Sequence, residues 1–382
     1  MLLPAPVTIA TFPSSCPFAM SALLPAGRVS YARARVSSAC ALAYIAGRRG
    51  VRPGQPRSDA RRCPMASKGY FDSDGHILEP EADIAAFLEE PYSRHRTSRG
   101  GFLPMFDQFH GALVAAYASD PKTFIPATAE RWLEFLEMTG TDGTVIFPTR
   151  GLFFGRIMFP EWATAYARAY NNWLADTYLK VSPRLQGVAL LPMQDVDSAV
   201  AELRRAVTEL GLIGGMIPSN GLLRHIGSKE YWPVYRAAEE LGCPLAIHGG
   251  NYEHLGFNTM ANFPTSRALG MPIPLMNGLA GMIAEGTLDE FPNVRIGFME
   301  GGTAWIPLML DRMDREVEYG GLALKRSPEE YLRDGRLFVT CEGNERSLSY
   351  VIERVGPEPF MFASDFPHEI SMDNAMEEID EI

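Results

Sequence analysis

The sequence lacks the marks of several common protein classes. None of its five cysteines is spaced as Cys-x-x-Cys from another, which argues against a disulfide framework and a structural zinc finger and fits a reducing compartment. No apolar run approaches the roughly 18 residues that span a bilayer, so no membrane partner is expected. The chain has no Gly-x-Ser-x-Gly stretch, which excludes a serine hydrolase built on a nucleophile elbow.

Lysine and acidic residues are scarce at the beginning of the chain. Residues 1–66 contain nine arginines, no lysine and a single acid, Asp59, and they are rich in alanine, serine and proline. Such a composition is typical of an organellar transit peptide. The alternative is an untranslated leader, with Met65 as the true start. We leave residues 1–66 out of the fold prediction and expect a cytoplasmic protein, or an organellar one if the segment is a real transit peptide.

Residues 67–382 have the pattern of one globular domain in which strands and helices alternate. The chain is 46% hydrophobic, and its net charge of -11 argues against a nucleic-acid partner. The predicted strands are a first run ending at 74–76 and the segments 143–148, 185–193, 213–218, 244–248, 294–300, 337–341 and 359–364. The predicted helices are 81–89, 127–138, 162–181, 199–210, 230–241, 277–285, 305–317 and 346–354.

Eight strands separated by helices predict an α/β protein with a (β/α)8 TIM barrel. The competing fold is an open doubly wound sheet, which would place a glycine-rich phosphate-binding turn after an early strand; the sequence shows no such turn. The stretch 374–382 begins a helix without a stop signal, so the last helices of the barrel are expected to be missing. Two long loops, 91–126 and 249–274, are expected to cover its mouth.

Charged and imidazole side chains follow the predicted strands, where a TIM barrel carries its chemistry. The first strand ends in Asp74 and His76, the fifth in His248, the sixth in Glu300 and the eighth in Asp365. Burying an unpaired charge is costly, and a divalent cation would compensate for it. Two imidazoles and two carboxylates suit zinc or a similar ion. The predicted metal ligands are Asp74, His76, His248 and Asp365.

Each of these residues also has a purely structural explanation. His248 could be a core histidine bonded to a nearby carbonyl group, and Asp365 could cap the turn that follows it. Glu300 could form an ion pair with Arg150 or Arg267. Arg150, which follows the second strand, is a candidate anchor for an anionic substrate group. The recurrence of such residues at matching strand ends favours the metal site.

Four motifs occur in order along the chain: Asp-Gly-His-Ile-Leu-Glu-Pro, Ala-Ile-His-Gly-Gly, Phe-Pro-Asn-Val-Arg-Ile-Gly-Phe-Met-Glu-Gly-Gly and Ala-Ser-Asp-Phe-Pro-His. Over residues 68–382 the chain resembles the amidohydrolase superfamily, in the branch that contains aminocarboxymuconate-semialdehyde decarboxylase and related aromatic-acid decarboxylases. The resemblance implies a metal-dependent barrel domain over 67–382 with one catalytic divalent metal, usually zinc and sometimes manganese. It also implies a homodimer.

The resemblance assigns roles by position in the motifs. The family's first strand carries His-x-His or a variant with glutamate, which corresponds here to Asp74 and His76, so the first ligand is altered. The strand-five histidine matches His248, and the strand-eight aspartate matches Asp365. Many members carry a catalytic histidine after strand six, where this chain has Glu300.

Three functions stay open at this point. The first is a non-oxidative carboxy-lyase for a small aromatic or unsaturated carboxylic acid, with the metal as Lewis acid and Arg150 orienting an anionic group. The proton donor to the carbon that loses carbon dioxide would be Asp365, Glu300 or His368. The second is a hydrolase of an ester, amide or lactone that uses a metal-bound water. The third is a non-catalytic binding barrel.

Overall fold

The structure, a computed structural model, describes residues 71–94, 125–250, 255–260, 263–342 and 345–368. The predicted leader at 1–66, most of the predicted loop 91–126 and the final helix predicted at 374–382 lie outside the described residues. Within the described part of the chain, none of the helices combines the length and the apolar character needed to traverse a bilayer.

Eight parallel strands form one sheet in sequence order, from β1 to β8. The strands are β1 Asp72–Ile77, β2 Thr144–Pro148, β3 Leu185–Leu190, β4 Gly214–Pro218, β5 Pro244–His248, β6 Arg295–Met299, β7 Leu337–Cys341 and β8 Phe360–Phe362. Their side chains are almost all buried, as expected for a parallel sheet covered on both faces. The predicted barrel fold is confirmed.

Hydrogen bonds between β1 and the segment directly after β8 close the barrel. The backbone N–H of His76 donates to the carbonyl of Phe366 at 2.7 Å. The buried carboxylate of Asp72 accepts hydrogen bonds from the backbone N–H and the hydroxyl of Ser364 and from the hydroxyl of Thr144, each at 2.8 Å. A buried carboxylate is tolerated only when it is well bonded, so Asp72 joins β1, β2 and the end of β8 at one point.

Helices connect successive strands, and they follow the predicted order. They are α1 Glu81–Ala85, α2 Ala129–Thr139, α3 Pro160–Leu174, α4 Val196–Arg205, α5 Trp232–Leu241, α6 Phe263–Gly270, α7 Pro272–Ala284, α8 Thr287–Glu290, α9 Trp305–Glu318, α10 Pro328–Arg333 and α11 Leu348–Val355. Short 3-10 turns occupy Tyr92–Arg94, Arg150–Arg156, Lys229–Tyr231 and Phe257–Thr259. The helices α3 and α4 each continue into one π-helical turn, at Ala175–Leu179 and Ala206–Leu210.

The sequence prediction is wrong at several places along this order. The helix predicted at 81–89 ends at Ala85, and α8 and α10 were not predicted. The predicted loop 249–274 contains helix α6, and α7 begins at Pro272 instead of at residue 277. Proline is well suited to the first turn of a helix, where its missing N–H is not needed, so a composition rich in proline and glycine concealed a helix start. The predicted helix 162–181 is not regular throughout, because its α-helical part ends at Leu174.

Close packing beneath the barrel rim depends on Gly75. A Cβ atom at this position would lie 2.4 Å from the Thr144 hydroxyl and 2.4 Å from the ring of Trp132. Trp132 is fully buried, and its indole N–H donates to the carbonyl of His76 at 3.0 Å. Helix α2 therefore fixes the backbone of β1 at the residues that lead into the candidate site.

Candidate metal centre

His76 and His248 present the same ring nitrogen to Asp74. The Nδ1 atom of His76 lies 3.0 Å from the carbonyl of Pro148, and that of His248 lies 2.9 Å from the carbonyl of Gly249. A carbonyl only accepts, so each Nδ1 carries a proton. The Nε2 atoms lie 3.4 Å and 3.1 Å from Asp74 Oδ1. A histidine whose Nδ1–H is held by a backbone carbonyl is the usual arrangement of a metal ligand.

The ionisation states of Asp74 and His248 depend on each other. Burial disfavours the charge on Asp74, but the charge and hydrogen bond of His248 outweigh it and hold the pKa of this carboxyl well below its usual range. Burial likewise disfavours the imidazolium of His248, yet the charge of Asp74 raises its pKa to about 9. A proton therefore lies between the two side chains, and a divalent cation would replace it there.

Asp365 and Glu300 reach the rim from left-handed backbone positions. Their φ angles are 53° and 55°, and they are the non-glycine residues with positive φ among the described part of the chain. Asp365 Oδ1 lies 3.5 Å and Glu300 Oε2 lies 4.0 Å from Nε2 of His76. The guanidinium of Arg267 lies 3.2 Å from Glu300 Oε1 and 3.8 Å from Asp365 Oδ2. Arg267 thus contacts one oxygen of each carboxylate, and the other oxygen faces His76.

His368 lies against Asp365 and His76. Its ring stacks on that of His76 with 4.1 Å between the centroids. Its Nδ1 lies 2.7 Å from Asp365 Oδ1, and its Nε2 lies 2.7 Å from the hydroxyl of Thr149. Burial lowers the pKa of His368 to about 4, so the ring is neutral near neutral pH. It therefore donates from Nδ1 to Asp365 and accepts the Thr149 hydroxyl at Nε2.

Several buried polar atoms at this rim have no hydrogen-bond partner. They include His76 Nε2, Asp74 Oδ2 and Glu300 Oε2. Each such atom costs about 1–3 kcal/mol. Candidate ligand atoms lie within 4.8 Å of one another in two overlapping groups: Asp74, His76 and His248, and His76, Glu300, Asp365 and His368. Imidazole nitrogens and carboxylate oxygens suit zinc or manganese, so the residues present fit a divalent metal ion.

Arg150 forms an ion pair with a carboxylate of helix α1. Its guanidinium donates to Glu81 at 2.9 Å, and Arg267 is the arginine that contacts Glu300 and Asp365. The role of Arg150 as an anion anchor stays a prediction.

Two further side chains were missed by the sequence analysis, Glu79 and Thr149. The buried carboxylate of Glu79 accepts the backbone N–H groups of Thr149, Arg150 and Gly151 at 2.9–3.0 Å. It therefore fixes the turn after β2 that holds Thr149 against His368. Glu79 belongs to the first of the four motifs, so its position in the sequence could have marked it as a candidate. Thr149 lies in none of the motifs, and nothing in the sequence marked it.

A cavity of about 620 Å³ adjoins Glu300 and Arg267. Its lining includes the apolar side chains Met271 and Trp305 and a second carboxylate, Glu342. Burial and the charge of Asp365 raise the pKa of Glu342 to about 7. The cavity therefore combines apolar walls with acidic groups and one arginine.

The sequence that forms the barrel and its rim matches a known protein family. The amidohydrolase family matches residues 72–378, a stretch that includes every side chain of the candidate centre. The chain belongs to the amidohydrolase family. The family predicted from the four motifs is therefore confirmed.

Relatives of this amidohydrolase-family chain include decarboxylases. The 2-amino-3-carboxymuconate-6-semialdehyde decarboxylase of Dictyostelium discoideum is 24% identical over 286 residues, which are 72% of this chain and 78% of that protein. The gamma-resorcylate decarboxylase of Rhodococcus jostii (strain RHA1) is 31% identical over 232 residues, which are 55% of this chain and 68% of that protein. Both names agree with the first of the three functions predicted above.

A solved structure shows the same fold with a metal bound. The dihydroxybenzoic acid decarboxylase of Polaromonas sp. JS666, crystallised with manganese and the inhibitor 2-nitroresorcinol, superposes with a TM-score of 0.61. It is 20% identical to this chain, and the match covers 83% of this chain and 91% of that one. At this identity the likeness shows the fold; the metal and the inhibitor are properties of that protein.

Proposed function

We propose that this chain is a metal-dependent, non-oxidative carboxy-lyase that removes carbon dioxide from a small aromatic or unsaturated carboxylic acid. The observation that carries the proposal is the cluster of imidazoles and carboxylates at the carboxyl rim of the barrel, in which His76 Nε2, Asp74 Oδ2 and Glu300 Oε2 are buried without partners. The decarboxylase relatives support the same reaction class.

The metal ligands of the proposal are those predicted from the sequence: Asp74, His76, His248 and Asp365. A divalent cation held by them would supply Lewis acidity towards the substrate's oxygen atoms. The sequence predicts zinc, and manganese fits the same donors. His76 and His248 are held ready for this role, because the carbonyls of Pro148 and Gly249 fix the proton of each ring on Nδ1.

The reaction needs one proton at the carbon that loses carbon dioxide. The carbon–carbon bond breaks, its electron pair stays on that carbon, and the pair takes up the proton; no oxidant or reductant is required. We assign the delivery of this proton to Asp365, whose Oδ1 lies at the rim and accepts a hydrogen bond from His368; its carboxylate would first take up the proton from solvent water. His368 is a positioning residue, because both of its ring nitrogens are engaged, one with Asp365 and the other with Thr149.

The substrate would lie in the cavity beside Arg267. Trp305 and Met271 offer apolar surface for a planar ring or an unsaturated chain. The carboxylates of Glu300 and Glu342 disfavour a second carboxylate nearby and favour hydroxyl or amino substituents that donate hydrogen bonds. Hydroxylated benzoic acids and amino-substituted unsaturated acids therefore form the proposed substrate class.

A screen for carbon dioxide release tests the proposal. The purified full chain is loaded with Zn²⁺ or Mn²⁺ and incubated with hydroxybenzoic acids, amino-substituted dienoic acids, aryl esters and lactones. We expect carbon dioxide release from a member of the acid panel and none from the His248→Ala variant. Hydrolysis of an ester or lactone without carbon dioxide release would favour the hydrolase instead.

Metal analysis distinguishes the carboxy-lyase and the hydrolase, which both need a metal ion, from the non-catalytic binding barrel. The carboxy-lyase should retain about one ion per chain after reconstitution and gel filtration. A content below about a tenth of an ion per chain would favour the binding barrel. The homodimer, the cytoplasmic location and the absence of a nucleic-acid partner stay predictions.

A further inference from the structure

Glu300 is held at the rim in the same way as Asp365. Each has a left-handed backbone, with φ of 55° and 53°, which is unfavourable for a residue other than glycine and persists only when the surroundings enforce it. At Glu300 the backbone N–H donates to the hydroxyl of Thr340 on β7 at 2.8 Å. The side chain of Glu300 is only 8% exposed. The fold thus maintains a strained position that brings a third carboxylate to His76, besides those of Asp74 and Asp365.

The two oxygens of Glu300 have different environments. Oε1 contacts the guanidinium of Arg267 at 3.2 Å. Oε2 has no hydrogen-bond partner and lies 4.0 Å from His76 Nε2 and 3.9 Å from His248 Nδ1. Because a buried carboxylate oxygen without a donor is costly, this atom needs a positive group on the side where the two histidines lie.

The charges at the rim point to the same conclusion. Three carboxylates, those of Asp74, Glu300 and Asp365, approach His76, and Arg267 is the guanidinium that contacts two of them. If all three are ionised, this group of four side chains has three negative charges and one positive charge. A divalent cation would balance the remaining two.

We propose that Glu300 is an additional ligand of the divalent cation, through Oε2, and that this donor raises the affinity of the centre for Mn²⁺ relative to Zn²⁺. The inference concerns the same cation as the proposed function and rests on it for the other ligands. Protein zinc sites usually have four ligands in a tetrahedron. Manganese accepts more donors and suits carboxylate oxygens, so a third carboxylate benefits Mn²⁺ more than Zn²⁺.

Metal competition on the Glu300→Gln variant tests the inference. The metal-free full-length wild type and variant are titrated with Mn²⁺ and with Zn²⁺ against a chromophoric chelator, without substrate. The substitution keeps the shape of the side chain but removes its charge. We expect the affinity for Mn²⁺ to fall by about tenfold or more and the affinity for Zn²⁺ to fall by clearly less. Far-UV circular dichroism and heat unfolding of the metal-free proteins verify the fold.

Glu342→Gln is the matched control, because Glu342 lines the same cavity but is absent from both groups of candidate ligand atoms among the described residues. It should change either affinity by less than about threefold. An unchanged Mn²⁺ affinity in Glu300→Gln, equal losses for both metals, or an equal loss of Mn²⁺ affinity in Glu342→Gln would each overturn the inference. Since no turnover is measured, a failure of the carboxy-lyase proposal would leave this result interpretable.

Discussion

Two buried acidic clusters of this protein differ in how they are satisfied. Between α3 and α4, Glu202 is 2% exposed. Its carboxylate accepts from the amide of Asn171 at 2.7 Å and from two nitrogens of Arg205 at 2.6 and 2.9 Å, and Arg168 lies at 3.4 Å. Both oxygens of Glu202 therefore have donors.

The barrel rim is the opposite case. Asp74 and His76 are fully buried and the side chain of Glu300 is nearly so, yet each has a polar atom without a hydrogen-bond partner. The same chain thus supplies arginines and an amide to a carboxylate in its helix layer and leaves several acceptors unpaired at the ends of its strands. The difference indicates that the helix-layer cluster contributes to stability, whereas the rim is built to receive a cation.

The largest expected effect is a loss of catalytic activity when a residue of the rim is substituted. His248→Ala should lower the rate of carbon dioxide release by about a thousandfold or more, which corresponds to about 4 kcal/mol of lost transition-state stabilisation. The reason is the loss of a ligand that Asp74 also contacts. Steady-state kinetics and metal content are measured together. Wild-type activity in this variant would remove His248 from the site.

A stability effect is expected in the helix layer. Glu202→Ala should lower the free energy of unfolding by about 3 kcal/mol, because it removes the buried carboxylate to which Arg205 and Asn171 both donate. Denaturant unfolding of the metal-free protein gives the value. The affinity for the metal ion should stay within about threefold of wild type. A Glu202→Ala variant that folds normally but loses its metal would contradict the division into two clusters.

Adding metal should raise the free energy of unfolding through the rim residues. Substitutions in the helix-layer cluster should not change the size of this gain. At a free metal concentration of about 100 times its dissociation constant, the folded state gains about 2.7 kcal/mol. Heat unfolding with and without a chelator measures the gain. The gain should be the same in the wild type and in Glu202→Gln, and it should vanish in His248→Ala. A gain that survives in His248→Ala would place the ion elsewhere.

A smaller effect on the catalytic rate is expected at Thr149, which contacts the predicted metal ligand Asp365 only through His368. Thr149→Val keeps the shape of the side chain but removes the hydroxyl that bonds His368 Nε2. The ring of His368 could then change its tautomer, and kcat should fall by about 10- to 100-fold while KM changes little. Thr149→Ser restores the hydroxyl and should recover most of the rate. A Thr149→Ser variant as slow as Thr149→Val would reduce Thr149 to a packing role.

The smallest effect concerns a buried group that lies in neither cluster. Cys243 is free and buried, and burial raises the pKa of its thiol to about 12. The unfolded state loses this proton at about pH 8.5, whereas the folded state keeps it, so folding stability falls as the pH rises above that value. Cys243→Ala should reduce the loss by about 1 kcal/mol per pH unit between about pH 9 and pH 10. Denaturant unfolding at both pH values measures it, and an unchanged slope would contradict the prediction.

The order of strands and helices was predictable from the sequence, because each segment carries its own signal. Strands such as β5 are short apolar runs, and helices such as α2 end at a glycine, Gly140, that adopts a left-handed conformation. The failure at α6 and α7 has a local cause, since proline and glycine mark both loops and helix ends.

The four residues predicted to bind the metal could be chosen from the sequence, because they lie at or just beyond the ends of apolar strands and within the quoted motifs; their role as ligands stays a prediction. The contacts among them could not be predicted in this way. Arg267, Thr149 and His368 acquire their partners from strands and helices far along the chain; the bond between Thr149 and His368 joins residues 219 positions apart. From the sequence, Arg150 and Arg267 were equally good candidates for an ion pair with Glu300. In the structure the partner is Arg267, because α6 places its guanidinium beside Glu300.

The sequence by itself determined the family, the alternation of elements and the types of donor that end the strands, since these are written in local composition and spacing. Only the tertiary structure decided which acidic groups have partners and which do not. Closure of the barrel brings the ends of β1, β5, β6 and β8 to one rim, and the pairing of each buried charge depends on distances that exist only after that closure.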